Sequence, residues 1–176
     1  MRILSNPSLR KITLPNFLLT TLAIISKSSI KIVVFYNNSR PFFKLSAYAV
    51  VGASADRKKF GNKVLRCYLQ HGFTVAPINK NINEIEGVKC HSTLSQWYGD
   101  LMSKDKNASV GISIITPPGV TKIILEEGIS LGIKHFYLQP GTYDDITLEF
   151  IKSQKVIHDF EIVKSCVLVE LGFDDA

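Results

Sequence analysis

From Ala47 onward, short apolar runs alternate with longer segments of helical periodicity, and this alternation constrains the fold more than any other feature of the chain. The runs are "AYAVVG" (47–52), "FTVAPIN" (73–79), "ASVGISIIT" (108–116) and "KHFYLQPG" (134–141). Their apolar residues stand at neighbouring positions, which is typical of strands covered on both faces. The sequence therefore predicts a parallel sheet that lies between layers of helices.

The segments that follow these runs have helical patterns. A helix over 62–72 places Val64, Leu65, Tyr68 and Leu69 on one face. The remaining predicted elements are a helix that opens near Ser95, a helix over 117–133 with Val120, Ile123, Ile124 and Leu131 on its apolar face, a helix over 143–154 that begins at Asp144 and Asp145, and strand-like segments at 155–160 and 166–171. This order predicts an α/β fold over residues 46–176, with a doubly wound, mainly parallel, Rossmann-like sheet in three α/β/α layers.

The formal net charge of +6 is unevenly distributed. Residues 1–55 contain seven basic residues and no acidic residue, whereas residues 56–176 contain the other 14 of the 21 basic residues and all 15 acids, a net of −1. The predicted domain therefore lacks the broad basic face that a nucleic-acid partner needs. The cysteines Cys67, Cys90 and Cys166 show no CxxC spacing, so neither a zinc site nor a disulfide framework is indicated, and thiols in a reducing compartment are expected.

Residues 1–45 form a basic N-terminal extension of different composition. Their arginine, lysine and serine content without acids is typical of a mitochondrial transit peptide, while an inert or disordered extension and a secretory signal stay open as alternatives. The apolar patch from Leu14 to Ile25 is too short and too polar to span a membrane. We expect a mitochondrial or cytoplasmic protein.

The loop after the first predicted strand favours an anionic ligand. Gly52, Ala53 and Ser54 carry almost no side chain, so a ligand can approach their backbone closely. The following helix directs its free N–H groups and positive dipole to the same place, which suits a diphosphate. Arg57, Lys58 and Lys59 add positive charge, although the middle glycine of a GxGxxG motif is missing.

The end of the second strand indicates the kind of nucleotide. Enzymes that use NAD place an acid there to hold the ribose hydroxyls, but this chain has Asn79 and Lys80 after Pro77. An amide and an ammonium tolerate or attract a phosphate on the adenosine ribose, which leaves coenzyme A or NADP. The turns "TPPG" (116–119) and "LQPG" (138–141) lie at the same predicted edge and could line an adenine or pantetheine slot.

Five motifs together resemble a known family: "AVVGAS…KFGNKV", "VAPIN", "IITPP", "YLQPG" and "CVLVE", in this order. Over residues 43–171 the chain resembles the small stand-alone CoA-binding proteins of Rossmann type, which are similar to the nucleotide-binding domain of the succinyl-CoA synthetase α subunit. The resemblance implies a coenzyme A or acyl-CoA site across the carboxyl edge of the sheet. The residues it assigns to this site are Gly52, Ala53 and Ser54 at the diphosphate with Lys59 and Asn62 nearby, Pro77, Asn79 and Lys80 on the ribose side, Thr116, Pro117 and Pro118 on the adjacent wall, and Gln139 and Gly141 on the far wall.

The sequence departs from the family at Lys59, where relatives often carry an arginine, and near Pro117, where they often carry an Arg-Pro pair. Lysine cannot donate a forked pair of hydrogen bonds to a phosphate as arginine does. The N-terminal extension also has no counterpart in the family pattern.

No catalytic arrangement is apparent in the sequence. The synthetase relatives pass phosphate through a histidine on a second domain, whereas His71, His91, His135 and His158 stand in contexts that do not suit that role. Cys166 is predicted on a strand near the coenzyme thiol, where either a core thiol or a mixed disulfide is conceivable.

We therefore expect non-catalytic binding of coenzyme A or an acyl-CoA by a carrier, sensor or regulator, with a protein partner or homo-oligomer left open. The alternatives are a minimal NADP-linked oxidoreductase, against which the absence of Tyr-x-x-x-Lys spacing counts, and an orphaned nucleotide-binding domain.

Overall fold

The computed structural model describes residues 39–175 and, for the backbone alone, two earlier strands. These strands are β1 (Thr21–Ser26) and β2 (Ser29–Val34), which pair antiparallel with Ser26 opposite Ser29. The rest of the predicted N-terminal extension up to residue 38 lies outside the described residues, and its transit-peptide interpretation stays a prediction.

The domain is a parallel sheet with helices on both faces. Its strands are β3 (Ala47–Val51), β4 (Val75–Ile78), β5 (Glu84–Ile85), β6 (Val88–Lys89), β7 (Val110–Ile114), β8 (His135–Leu138) and β9 (Glu161–Lys164), and its helices are α1 (Phe60–Gln70), α2 (Leu94–Lys104), α3 (Pro118–Ser130), α4 (Asp145–Lys155) and α5 (Val167–Leu171). Five strands form the sheet in the order β4-β3-β7-β8-β9, and every pairing in it is parallel. The predicted α/β, Rossmann-like class is confirmed.

A single bridged residue, His91, lies beside β4 at the position of a sixth strand. His91 forms a single parallel bridge to Ile78, with hydrogen bonds from the Asn79 N–H to the His91 carbonyl and from the His91 N–H to the Pro77 carbonyl. If this bridge is counted as the third strand, the order becomes 3-2-1-4-5-6, that of the doubly wound dinucleotide-binding fold. The strand order reverses between β3 and β7, the point at which such sheets bind ligands.

Residues of the strands alternate between two cores. In β3, Ala47, Ala49 and Val51 pack in the core that includes Leu94 of α2, whereas Tyr48 and Val50 pack in the core that includes α1 and α5. All five residues of β3 are buried, because helices cover both faces. In α1, Val64, Leu65 and Tyr68 are buried and Leu69 packs against the same core, which confirms the predicted face.

Two predicted strands and part of one predicted helical face are wrong. Residues 155–160 are the end of α4 and the loop that follows it, and strand β9 begins only at Glu161 because the chain must first leave the helix and turn back to the sheet. Residues 166–171 form helix α5 after Cys166 and not a strand, because the sheet already ends at β9 and this short apolar segment packs back toward α1.

Of the four residues predicted on the apolar face of α3, Ile124 and Leu131 pack against the core, whereas Val120 and Ile123 are 44% and 60% exposed. The fully buried residues of this helix are Thr121, Leu125 and Gly128. Small residues allow this approach, since a Cβ at Gly128 would lie 2.6 Å from the ring of Phe136.

A 3-10 helix before β3, Phe42–Lys44, belongs to the folded unit. Phe42 is 3% exposed, and its ring contacts those of Tyr48 and Tyr137 at centroid distances of 5.5 and 5.2 Å. The packed unit therefore includes residues that the sequence analysis placed in the N-terminal extension. No helix in the described part of the chain is long and apolar enough to cross a bilayer.

Two glycines set the distance between α1 and the end of β3. A Cβ at Gly61 would lie 2.1 Å from the Gly52 carbonyl oxygen, which is far inside van der Waals contact. Gly52 has φ +92°, and a Cβ there would lie 2.5 Å from the Ile115 carbonyl oxygen. Only glycine permits this close approach of three backbone segments.

We predict that Gly61→Ala lowers the free energy of unfolding by about 2–3 kcal/mol, because the added methyl group meets backbone that cannot rotate away. The matched control is Gly99→Ala in α2, where a Cβ meets nothing within 4 Å. This control should raise the free energy of unfolding by about 0.5–1 kcal/mol. Urea denaturation of both variants measures the difference, and equal stability of the two would contradict the assigned packing.

Candidate functional site

A cleft of about 490 Å³ opens at the carboxyl edge of the sheet. It is bounded by the first turns of α1, the β7–α3 loop, the β8–α4 loop and the residue before α5. Its lining residues are Phe60, Val64, Ile115, Thr116, Pro117, Pro118, Gln139, Pro140, Gly141, Thr142 and Cys166. The lining is mainly apolar with a few polar groups, as in most small-molecule sites.

The loop between β3 and α1 offers backbone donors beside this cleft. Among the described residues, the N–H groups of Ser54, Ala55, Phe60 and Gly61 have no hydrogen-bond partner. The last two belong to the first turn of α1, where the helix dipole adds positive potential. Because Phe60 also lines the cleft, these donors and the apolar slot adjoin each other.

Asn62 holds this loop in place. Its side chain is fully buried, and its Nδ2 donates to the Ser54 carbonyl at 2.9 Å and to Glu86 Oε1 at 2.9 Å. Its Oδ1 accepts from Arg66 Nε at 3.0 Å. Asn62 therefore positions the loop through contacts within the protein, and direct contact with a ligand stays a prediction.

Glu86 is a site residue that the sequence analysis missed. It stands with Gly87 in the two-residue turn between β5 and β6, with φ +50° and +75°, a conformation that favours glycine or asparagine. Its carboxylate oxygen Oε1 accepts a hydrogen bond from Asn62 Nδ2 and lies 3.4 Å from Arg57 Nε. The ion pair offsets the charge of Arg57, and the loop also carries the acid Asp56, whereas the side chains of Lys58 and Lys59 are exposed to solvent.

The end of β4 is tied to the same loop. Asn79 Nδ2 donates to the Ala53 carbonyl at 2.9 Å, and its Oδ1 accepts from the Asn81 N–H at 2.9 Å. Lys80 is exposed, whereas Pro77 is buried within β4 opposite Val50. Of the three residues predicted on the ribose side, Lys80 is thus the one whose charged group is free to approach a ligand.

The two walls of the cleft are braced by hydrogen bonds. On one wall, the Thr121 hydroxyl donates to the Thr116 carbonyl at 3.0 Å, and Pro117 caps α3, which begins at Pro118. On the other wall, Gln139 Nε2 donates to the Ser113 hydroxyl at 3.2 Å, and Gln139 Oε1 accepts from the Val167 N–H at 3.1 Å. Gln139 therefore joins β8 to β7 and to α5 and fixes the shape of the cleft.

The structure brings five of the predicted site residues together as lining of the cleft: Thr116, Pro117, Pro118, Gln139 and Gly141. Gly52, Ala53, Ser54, Lys59 and Asn62 lie in or beside the adjoining loop, and Pro77, Asn79 and Lys80 lie at β4. Among the residues that the sequence analysis missed, Phe60 and Val64 carried a usable signal, because the first turns of a helix that follows a glycine loop must face the same edge.

Cys166 lies in the cleft and not on the predicted strand. It is half-buried, immediately before α5, whereas Cys67 and Cys90 are buried. Burial raises the pKa of the Cys67 thiol to about 11, and the nearby Cys166 contributes to this rise. Within residues 39–175, no group of three His, Cys, Asp or Glu side chains could hold a metal ion.

The sheet order and the cleft at its carboxyl edge define a Rossmann-like ligand-binding domain. Residues 46–172 match the family model described as CoA binding domain, and the chain belongs to this family. The resemblance recognised in the sequence is thereby confirmed. No curated protein matches the chain.

Several solved structures are similar to this chain in fold. A conserved hypothetical protein from Pyrococcus furiosus is similar at 30% identity over 70% of this chain and 97% of its own, with a TM-score of 0.59. A hypothetical protein from Pyrococcus horikoshii, at 23% identity over 74% and 84% with a TM-score of 0.59, is similar in fold alone. An acetyl-coenzyme A synthetase from Ca. Korarchaeum cryptofilum, in complex with phosphate and ADP, is similar at 25% identity over 72% of this chain and 27% of its own, with a TM-score of 0.53.

We predict that Asn62→Ala lowers the free energy of unfolding by about 1–3 kcal/mol, because it leaves the buried Arg66 Nε and the Ser54 carbonyl without their partner. The control is Asn81→Ala, which removes an exposed side chain and should change stability by less than about 0.5 kcal/mol. Urea denaturation compares the variants. A stability loss in Asn81→Ala as large as that in Asn62→Ala would refute the role assigned to Asn62.

Proposed function

We propose that this protein binds coenzyme A or an acyl-CoA without chemical conversion, as a carrier, sensor or regulator. The observation that carries the proposal is the adjacency of two complementary surfaces. The unpartnered N–H groups of Phe60 and Gly61 suit a diphosphate, and the apolar slot beside them suits a long, weakly polar chain such as pantetheine. Membership in the CoA binding domain family supports the same ligand.

Charge at the end of β4 favours a nucleotide with a ribose phosphate. Lys80 is exposed there and Asn79 contributes no charge. Glu86 lies in the β5–β6 turn, where its Oε1 accepts from Asn62 Nδ2 and lies 3.4 Å from Arg57 Nε, and no acid stands between Ile78 and Asn83 at the end of β4. Coenzyme A carries such a phosphate, and NADP does as well.

A binding role without chemistry is supported by the composition of the cleft. No histidine lines it in the described part of the chain, so the phosphohistidine chemistry of the synthetases has no candidate group there. His91 Nε2 lies 3.4 Å from Asp100 Oδ2, and His135 Nδ1 lies 3.4 Å from Glu161 Oε2. Neither histidine lines the cleft. The side chain of Gln139, which also lines the cleft, is hydrogen-bonded to Ser113 and to the Val167 N–H.

Thermal unfolding with coenzyme A, dephospho-coenzyme A, NADP and NAD in parallel tests the proposal. A ligand at a hundredfold excess over its Kd stabilises the folded state by about 2.7 kcal/mol, which corresponds to a rise in melting temperature of roughly 5–10 °C. We expect this rise with coenzyme A, a smaller one with dephospho-coenzyme A and none with NAD. A rise with NADP alone would favour an oxidoreductase, and no rise with any ligand would favour an orphaned domain.

A pair of charge-reversal variants tests whether coenzyme A binds at the β3–α1 loop. Lys59→Glu places a negative charge beside the loop donors and should reduce the shift produced by coenzyme A, while leaving the fold intact because Lys59 is exposed. Lys106→Glu makes the same change in net charge in the loop before β7, at the opposite edge of the sheet, and should keep the shift. Equal shifts in the two variants would contradict binding at the loop.

A further inference from the structure

The cleft offers no charged side chain to a ligand. Within the described part of the chain, none of its lining residues is a lysine, arginine, histidine, aspartate or glutamate. The cations Lys58 and Lys59 stand before α1, in the loop that a diphosphate would occupy. An anionic group that enters the cleft therefore finds no cation there with which to pair.

The polar side chains that line the cleft are bonded within the protein. The Thr116 hydroxyl lies 2.8 Å from the Thr121 hydroxyl, and the Thr142 hydroxyl donates to the Gln139 carbonyl at 2.7 Å. The side-chain amide of Gln139 is engaged at both ends, as described above. The surface that side chains leave for a ligand is therefore mainly apolar.

The backbone of the same residues is open to a neutral acceptor. Thr116, Gly141 and Cys166 line the cleft, and their N–H groups have no hydrogen-bond partner among the described residues. A ligand that displaces water from these donors must supply acceptors of its own, because an unpaired N–H group is costly. Carbonyl oxygens do so without charge. The pantetheine arm of coenzyme A carries amide carbonyls, and an acyl thioester adds a further one.

Acidic residues stand next to one wall of the cleft, that formed by residues 139–142. Asp144 and Asp145 follow Thr142 within three positions and are exposed. Asp144 is the N-cap of α4, and the hydrogen bond that it accepts from the Thr147 N–H lowers the pKa of its carboxyl, so it is anionic at neutral pH. A carboxylate bound against this wall would meet like charge.

The charges beside Cys166 are of both signs. Glu170 lies in the first turn of α5, and its N–H donates to the Cys166 carbonyl at 3.0 Å. Lys164 ends β9, with its Nζ 5.6 Å from the centroid of the Tyr143 ring, and it does not line the cleft. Together with the two aspartates before and in α4, these residues carry a net negative charge, which repels an anion.

We propose that the cleft binds uncharged acyl groups of coenzyme A thioesters and rejects acyl groups that end in a carboxylate. The inference rests on the proposed function, because the diphosphate must dock at the β3–α1 loop for the thioester to reach the cleft. An alkyl chain gains free energy by leaving water for apolar surface, which includes the ring of Phe60, 66% exposed without a ligand. A carboxylate in the same place loses its hydration and gains no ion pair in return.

Isothermal titration calorimetry of the full chain with propionyl-CoA and malonyl-CoA tests this selectivity. The two acyl groups have equal numbers of carbon atoms and differ in a terminal methyl or carboxylate. We expect propionyl-CoA to bind at least about tenfold more tightly than malonyl-CoA, because only the carboxylate must be desolvated without a partner. Equal affinities, or tighter binding of malonyl-CoA, would overturn the proposal.

A cation placed on the wall of the cleft tests where the acyl group lies. Pro140 lines the cleft and is exposed, so Pro140→Lys adds an ammonium there with little effect on the core. The preference for propionyl-CoA over malonyl-CoA should fall about tenfold. Pro140→Gln loses the same proline without adding charge, and the preference should persist. The same preference in both variants would overturn the proposal.

Titration with free coenzyme A separates the two possible failures. Binding of coenzyme A, propionyl-CoA and malonyl-CoA with equal Kd would reject acyl selection and leave the proposed function intact. Absence of binding to all of these ligands would reject the proposed function itself.

Discussion

The contact between Gly61 and the Gly52 carbonyl is the constraint on which the rest of the site depends. A Cβ at Gly61 would lie 2.1 Å from that oxygen, so the first turn of α1 rests directly on the end of β3. This placement directs the free N–H groups of Phe60 and Gly61 to the carboxyl edge of the sheet and makes Phe60 part of the cleft. Without this close approach, the donors and the apolar slot would lie apart.

Amide side chains hold the loops around that contact. Asn62 joins the loop to the β5–β6 turn through Glu86, Asn79 joins it to the end of β4, and Gln139 joins β8 to β7 and α5. All three were predicted as ligand contacts, and the structure gives each of them bonds within the protein. A site whose loops are fixed before the ligand arrives loses less conformational entropy on binding. The predicted residues thus contribute to the site, several of them by positioning its backbone.

The sequence was informative where the physical signal was local. Near-continuous apolar runs predicted β3, β4, β7 and β8, and the spacing of Val64, Leu65 and Tyr68 predicted the buried face of α1. Tertiary packing decided the features that were missed. Helix α3 has apolar residues on two sides, and the side that packs against the sheet is the one whose small residues, such as Gly128, allow a close approach. The short run after Cys166 fits strand and helix equally well, and Glu86 reaches the loop only because a tight turn brings it there.

Backbone amide shifts of ¹⁵N-labelled protein, recorded by NMR during titration with coenzyme A, test the central claim most directly. A ligand whose diphosphate is bound by the loop and the first turn of α1 should shift the amides of Ser54, Ala55, Phe60 and Gly61 most strongly. Amides at the amino edge of the sheet, such as that of Lys106, should stay unchanged. Saturable binding of coenzyme A with its largest shifts away from the loop, and none at Phe60 and Gly61, would contradict the account.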